Sequence, residues 1–385
     1  MKLLHLSDLH IGKSVNCFPM LEEQRHVLEQ VIVYIRSERP AAILIAGDIY
    51  DRAVPGVEAV RLLDDFLTEL ASEGVTVMII AGNHDSPERL GYAGRLLADK
   101  KLFICGAFDG RVHRTVLSDE YGEVNFWLLP FIRPLSVKGV FDEREISTHS
   151  EAVAAVIEAA EVDYSVRNVL VSHQFYTKVG ADPVRSESEI NPVGGLDAVD
   201  VSIIERFDYA ALGHLHGAQN VGGDNCRYAG SPLKYSFSEV RQKKSVSVAE
   251  LREKGNLSIS TLPLTPLHDM REIKGPLEEL ISDKVSSLAD KNDYLRVVLT
   301  NEEEIADPMG KIRSVYPNVM ALGFENARAG IDVAEIRASS ERVSSLSPYE
   351  LFDEFFLEMN GSTMNDEQAA LVRKIMDGGP TDEAD

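Results

Sequence analysis

The chain has 385 residues, 44% hydrophobic and 26% charged, with 62 acidic against 39 basic side chains and a formal net charge of -23. That length leaves room for more than one domain. The composition excludes a nucleic-acid-coating protein built on clustered Lys and Arg, and three scattered cysteines (Cys17, Cys105, Cys226) exclude a disulfide framework or a cysteine-based zinc site.

The opening, Met1-Lys2-Leu3-Leu4-His5-Leu6-Ser7-Asp8, has no apolar stretch of secretory length, and no run approaches the roughly 18 residues of a membrane span. A cytoplasmic chain with no membrane association is expected. The first strand, Leu3 to Leu6, runs into Asp8 and His10; a helix over Leu21 to Arg36 precedes a strand Ala42 to Ala46 that ends in Gly47-Asp48. Val57, Val60, Leu63, Leu67 and Leu70, spaced by three and four, set one helical face against a sheet. A strand Val75 to Ala81 ends in Gly82-Asn83-His84-Asp85, and Ser86-Pro87 then opens a helix reaching Leu97. After short alternating segments from Phe103 to Phe131 and a helix Ser150 to Ala160, strands Val169 to Val171 and Tyr209 to Leu212 end in Ser172-His173 and Gly213-His214-Leu215-His216. Arg227 to Leu264 alternates again, and both alternating regions read as antiparallel strands closing sheet edges. This rhythm predicts an α/β layered fold over residues 1–265.

Beyond Pro263 and Pro266 a smaller α/β cap is expected over residues 266–330: helix Leu277 to Leu288, strand Tyr294 to Leu299, helix Pro308 to Tyr316, strand Val319 to Phe324. A serine-rich linker, 331–346, leads to a helical hairpin over 347–378. Its helices open at Ser347-Pro348-Tyr349-Glu350 and Asn365-Asp366-Glu367-Gln368, both with capping-box spacing.

Five strands thus deliver metal-type ligands to the carboxyl edge, where α/β sheets carry their sites. A pair of divalent cations about 3.5 to 4 Å apart needs one bridging carboxylate and neutral donors around it. Asp48 is the natural bridge; Asp8, His10 and His216 would complete one site, and Asn83, His173 and His214 the other. The i, i+2 spacing of Asp8/His10 and His214/His216 suits extended segments, whose alternate side chains share a side. Two dications offset by Asp8, Asp48 and a hydroxide leave roughly one net positive charge, enough to attract a phosphodiester to an acidic chain. His84 is expected to face the substrate as a catalytic group, stabilising the reacting phosphorus or protonating the leaving oxygen. Asp51 could orient His10 or His84. Taken singly, each histidine would be an ordinary structural residue; their combined placement points to chemistry. His5, His26, His113, His149 and His268 lack that context.

Asp-x-His, Gly-Asp, Gly-Asn-His-Asp, a lone His and Gly-His-x-His, in that order, resemble the calcineurin-like metallophosphoesterase superfamily. The resemblance implies a four-layer α/β/β/α sandwich, two divalent metal ions, usually manganese in the nucleases, and hydrolysis of phosphate esters by metal-activated water. Gly82 to Leu90, Gly47 to Arg52, Tyr228-Ala229-Gly230-Ser231-Pro232 and Ser236-Phe237-Ser238-Glu239 are similar to the SbcD family, the nuclease subunits of bacterial SbcCD complexes. That implies a DNA nuclease of repair, recombination and replication, trimming ends from the three-prime side and cutting single strands and hairpins. It also implies an SMC-like partner ATPase, SbcC, a homodimer formed through helices flanking the active site, and a DNA-contacting cap.

Tyr349, Phe352, Phe355 and Phe356 crowd more aromatic surface onto the tail than a helical hairpin covers. Such a helix either docks in a partner groove or packs on its own domain, and similarity to the SbcC-binding tail favours the former. Arg52, Arg89, Lys178, Arg185, Arg241, Lys243 and Lys244 are candidate DNA contacts. The alternative function is a metallophosphatase or phosphodiesterase acting on a small-molecule phosphate ester, with cap and tail shaping its pocket.

Overall fold

The computed structural model describes residues 1–141, 144–178, 180, 183–189, 197–303, 305–325, 349, 352–353, 356–357 and 363–376. The runs Ala42–Ala46 and Thr76–Ile80 show no polar alternation because every residue in them is buried, with both faces of the sheet covered. They form the middle of a six-stranded sheet ordered Leu257–Pro263, Ser245–Leu251, Lys2–Leu6, Ala42–Ala46, Thr76–Ile80, Leu102–Cys105. The last four strands are parallel, and the first two form an antiparallel edge beside Lys2–Leu6. A second six-stranded sheet is ordered Gln219–Val221, Gly223–Tyr228, Tyr209–Gly213, Arg167–His173, Gly122–Leu129, His113–Asp119.

The sheets pack face to face, Leu3, Leu44, Met78 and Ile80 of the first meeting Phe126, Leu128, Val169 and Val171 of the second. Helices cover the outer faces. Leu21–Glu38 and Val57–Ser72 lie on the first sheet and His149–Ala159 on the second, completing the expected four-layer α/β/β/α sandwich. The buried stripe of Val57–Ser72 is Ala59, Leu62, Leu63, Phe66 and Leu70, which corrects the expected face: Leu63 and Leu70 are buried and Leu67 half-buried, but Val57 and Val60 are exposed because the stripe that meets the sheet is rotated toward Ala59, Leu62 and Phe66. Truncating Phe66 to Ala would cost about 3 to 5 kcal/mol.

Three further sequence expectations differ from the structure. Gly122–Leu129 does not close an edge; it lies inside the second sheet, parallel to Arg167–His173, because Val124 to Leu129 is a continuously buried run. The helix expected from Ser86 to Leu97 is two short ones, Pro87–Leu90 and Gly94–Leu97, parted at Ala93, whose φ of 60° is left-handed. Leu277 to Leu288 likewise divides into Leu277–Leu280 and Asp283–Ser286, with Ser282 in extended conformation at the second helix start.

Three parallel strands, Met270–Gly275, Tyr294–Leu299 and Val319–Phe324, build the cap sheet, which has its own core of Leu277, Leu280, Leu295, Val297, Ile312 and Tyr316. The Met270–Gly275 strand was not anticipated from the sequence. Its junction with the sandwich is a buried carboxylate: Glu23 accepts from the Leu267 and His268 amides (2.9 and 3.3 Å) and from His268 Nδ1 (2.7 Å). In the tail, Asn365 and Gln368 exchange the expected capping-box bonds at 3.0 and 2.9 Å at the start of Asp366–Met376. The Arg373 guanidinium lies 4.6 Å from the Tyr349 ring centre. The linker 331–346 and Phe355 lie outside the described residues.

Candidate metal centre

Parallel pairing continues past the strand ends and brings the ligand loops together. The Asp8, His10 and Ile11 amides donate to the Gly47, Asp48 and Ile49 carbonyls at 2.9 to 3.0 Å, laying one loop beside the other. Four of the ligand residues then turn through left-handed backbone: Asp8 (φ 53°), His10 (45°), Asp48 (50°) and His214 (108°). Asp and His are among the residues that tolerate this region better than most.

Close approach fixes the glycines. A Cβ on Gly82 would collide with Asp48 Oδ1, and one on Gly213 would strike the Ala46 carbonyl oxygen and lie 2.7 Å from His173 Nδ1. Gly82 must lack a side chain where two loops of the first sheet meet, and Gly213 where the two sheets meet.

The structure brings all seven proposed ligands into one cluster, with Asp8, His10, Asp48, His173 and His216 buried and Asn83 and His214 half-buried. Asp8, His10 and His216 present donor atoms within 4.8 Å of one another, as do Asp8, Asp48 and His173. His10 Nε2 faces His216 Nε2 at 3.1 Å, and the Asn83 carbonyl oxygen lies 3.0 Å from His173 Nε2 and 3.1 Å from His214 Nδ1. Asp48 stands between the groups, Oδ2 at 3.4 Å from His173 Nε2 and 3.8 Å from His10 Nε2.

Protonation follows from the outer contacts. His173 Nδ1–H donates to the Ala46 carbonyl at 2.7 Å, which turns Nε2 inward. His216 Nδ1 meets Ser188 Oγ at 2.8 Å and Glu239 at 3.4 Å, so its Nε2 also faces the centre. Burial lowers His10 and takes His214 down to about 3, keeping both neutral. Burial opposes charge on His173 as well, but the Asp48 carboxylate outweighs it and raises His173 to about 9. That charged imidazole in turn holds Asp48 ionised against burial.

This donor set fits divalent cations. Two carboxylates, four imidazoles and an amide oxygen converge on one point, and His10 Nδ1 is buried with no hydrogen bond, 3.5 Å from Asp51 Oδ1.

His84 stands apart. It is half-buried, donates from Nδ1 to the Asp51 carbonyl at 3.0 Å, and stacks edge-on to His10 with ring centres 4.8 Å apart. Its ring also lies within cation-sharing reach of His10 and Asp48. Asp51 touches both histidines, with its carboxylate beside His10 and its carbonyl on His84, and its charge is fixed by Lys13 Nζ at 2.6 Å.

Residues that sequence reasoning missed lie one layer out. The Asp85 carboxylate ties three loop amides, Ile49, Tyr50 and Gly82, at 2.9 to 3.1 Å; burial and the neighbouring Asp48 raise it to about 6. Gln24 Nε2 holds the His10 carbonyl at 2.7 Å, and Glu189 accepts the His216 amide at 2.7 Å. Asp85 was visible in its motif without a role; Gln24 and Glu189 carried no sequence signal.

The candidate DNA contacts divide. Arg52, Arg89, Lys178, Arg185, Arg241 and Lys243 are exposed. The Arg185 guanidinium lies 3.7 Å from the centre of the Phe175 ring, which neighbours His214 at 6.0 Å. Arg241 and Lys243 line a cleft of about 410 Å³ between sandwich and cap. Lys244 is a correction: it is buried, and its Nζ bonds Glu239 (2.6 Å), Gln242 (2.7 Å), Ser231 (2.9 Å) and the His216 carbonyl (2.9 Å). A basic run had suggested solvent, but only its first members face it. In the tail, Tyr349, Phe352 and Phe356 are half-buried helical residues. Among the described residues no helix is long and apolar enough to cross a membrane.

Comparison with known proteins agrees with this geometry. The calcineurin-like phosphoesterase family model matches residues 1–218, and the model SbcD_C, described as a type 5 capsule protein repressor C-terminal domain, matches residues 266–360. The D component of the nuclease SbcCD from Staphylococcus epidermidis is 34% identical over 327 residues, covering 84% of this chain and 85% of that protein. Solved structures with more distant likeness include a dimetal phosphatase from Danio rerio (13% identity, TM-score 0.39, 69% of this chain and 99% of that one). Another is a phosphopantetheinyl hydrolase from Mycobacterium tuberculosis (16%, TM-score 0.35, 60% and 90%). By the match across its phosphoesterase domain and the 34% identity over most of its length, the chain belongs to the calcineurin-like phosphoesterases and, within them, to the SbcD family.

Proposed function

We infer that the chain is a metal-dependent DNA nuclease, a three-prime to five-prime exonuclease and single-strand and hairpin endonuclease that works with an SbcC-like ATPase in DNA repair and recombination. The observation that carries this is the convergence of seven oxygen and nitrogen donors around Asp48 in a chain of the SbcD family. Asp8, His10, His216 and Asp48 would hold one divalent cation, and Asp48, Asn83, His173 and His214 a second, with manganese the expected metal. When bound, the pair supplies positive charge for the phosphoryl oxygens and a water nucleophile active at neutral pH.

The protein's own residues do the rest. Asp48 and Asp8 place negative charge under the cations, while Ala46, Ser188 and Gln24 fix the orientation of the histidine ligands and their loops. His84, held through Nδ1 by the Asp51 carbonyl and lining the cavity beside the metal loop, can hold a proton on Nε2 for the leaving oxygen. Arg185, Arg241 and Lys243 offer exposed cations for the DNA backbone. The aromatic tail, with Tyr349 and Phe352 among its members, supports a docking role toward the ATPase. Exposed Tyr92 (82%) and Leu96 (78%), on the helical segment following the metal loop, support a homodimer. Cytoplasmic residence follows from the DNA substrate.

The test is hydrolysis of end-labelled linear and hairpin DNA by the purified chain with manganese, with Asp48→Ala as control and a chromogenic phosphomonoester alongside. DNA cleavage lost in Asp48→Ala is expected. Monoester hydrolysis with DNA left intact would replace this reading with the small-molecule phosphatase.

A further inference from the structure

A cavity of about 660 Å³ opens beside the metal loop, within the size range of small-molecule sites. Its wall carries Asn83 and His84 from the metal loop and Phe108, Phe131, Arg133 and Leu135 from other segments. Hydrogen bonds tie Phe131 and Ile132 to the residues around the metal centre. Phe131 donates its amide to the Ala81 carbonyl at 2.8 Å, directly before Gly82-Asn83, and the Ile132 carbonyl accepts from Gln174 Nε2 at 3.2 Å, next to His173. The Phe131 and His173 rings are nearly perpendicular with centres 6.4 Å apart, so a residue that lines the cavity also adjoins a metal ligand.

The chemistry of this wall favours a flat, uncharged, polarisable group. The Arg133 guanidinium lies 5.8 Å from the Phe131 ring centre and has no carboxylate partner among the described residues. Leu135 is 83% exposed, a large apolar side chain left in water at the rim. Glu88 also lines the cavity and would repel a second phosphate. Every nucleobase has a π-face that stacks on phenylalanine and on arginine.

We propose that this cavity is a nucleobase subsite, in which Phe131, Arg133 and Leu135 take the base of the nucleotide flanking the cleaved phosphate on the His84 side. The inference rests on the nuclease reading and deepens it: chemistry at the metal centre would require a nucleotide unstacked from its neighbour. Ends, single strands and hairpin loops supply such a nucleotide at least cost, whereas an intact duplex must first be opened. The preference for frayed or looped DNA would then reside in Phe131 and its neighbours as well as in partner control.

The test compares short single-stranded oligonucleotides that carry an abasic residue at one or the other neighbour of the cleaved linkage, using the full chain with manganese. One of the two abasic positions is expected to lower kcat/KM by about 5- to 150-fold, the effect of stacking one base. Phe131→Leu should bring that preference toward one, and Leu135→Ser, a substitution in open solvent, should reduce it at least twofold without endangering the fold. A wild-type enzyme indifferent to both abasic positions would overturn the subsite, as would a preference that both variants retain. Loss of dimer in Leu135→Ser with the preference intact would assign the face to a second copy instead. A chain that hydrolyses a chromogenic diester but cuts no oligonucleotide would remove the nuclease reading and the subsite with it.

Discussion

Replacing Lys244 with Met tests how far the centre depends on charge it does not itself contain. Lys244 is 8% exposed, and its ammonium has three protons to share among four acceptors within 2.9 Å. Its main partner, Glu239, is fully buried; burial opposes its charge, but His216 and Lys244 together hold it down to about 2. Methionine keeps much of the lysine stem's volume and deletes the charge, leaving a buried carboxylate whose remaining partners are Ser188 and His216. Breaking a buried pair in this way costs about 3 to 5 kcal/mol, a large part of the 5 to 15 kcal/mol that typically separates folded from unfolded chains. Because Glu239 reaches His216 Nδ1 both directly and through Ser188, metal affinity should also fall by roughly 10- to 100-fold. Urea denaturation in chelator isolates the first effect, and calorimetric titration with manganese the second. Lys244→Met/Glu239→Gln should recover at least half of the lost stability, since the uncompensated charge is gone. A single-variant loss below about 1 kcal/mol, as at a surface lysine, or a double variant no more stable than the single one, would refute the reasoning.

Three further outcomes are expected. Gly213→Ala should overpack the inter-sheet seam by at least about 1 to 3 kcal/mol and lower bound-metal stoichiometry by disturbing His173. By contrast, Gly139→Ala, with nothing within 4 Å of the new methyl and a φ of -67°, should stabilise by about 0.4 to 1 kcal/mol. Melting curves with metal analysis check both, and equal behaviour of the two variants would show that close approach is not the reason for glycine at 213. His84→Gln should keep both cations by elemental analysis while turnover falls about 10²- to 10⁴-fold; an emptied site would make His84 a ligand. Manganese at a hundredfold excess over its Kd should stabilise the chain by about 2.7 kcal/mol per site relative to EDTA, and a melting midpoint indifferent to both would refute the two-cation assignment.

Much of this was legible in sequence because strand ends are local. An apolar run such as Ala42 to Ala46, closed by Gly47-Asp48, announces both a buried strand and the ligand at its tip. The i, i+2 pairs and Gly-Asn-His-Asp carry their geometry in their spacing. What escaped depends on partners distant in the chain. Gln24 sits in an ordinary helix and becomes a brace only because the loop bearing His10 folds over it. Glu189 carries no signal, Glu239 stands only within a family-like motif and Lys244 reads as a candidate DNA contact, and only tertiary packing encloses them around His216. Gly122–Leu129 was misassigned because its hairpin with His113–Asp119 is local whereas its parallel pairing with Arg167–His173 spans a helix.

The left-handed backbone at Asp8, His10, Asp48 and His214 has an evolutionary consequence. Sparsely populated backbone states cost of order 1 to 3 kcal/mol each, and the chain spends them to aim four ligands at one point. Glycine would relieve that cost at any of the four, most of all at His214, whose φ of 108° is the most unusual for a side-chain-bearing residue. In metal-free protein, His214→Gly should therefore melt no lower than the wild type and can melt higher. Under mutation without selection for the reaction, the downhill path for this scaffold leads toward a sturdier protein that no longer binds its cations.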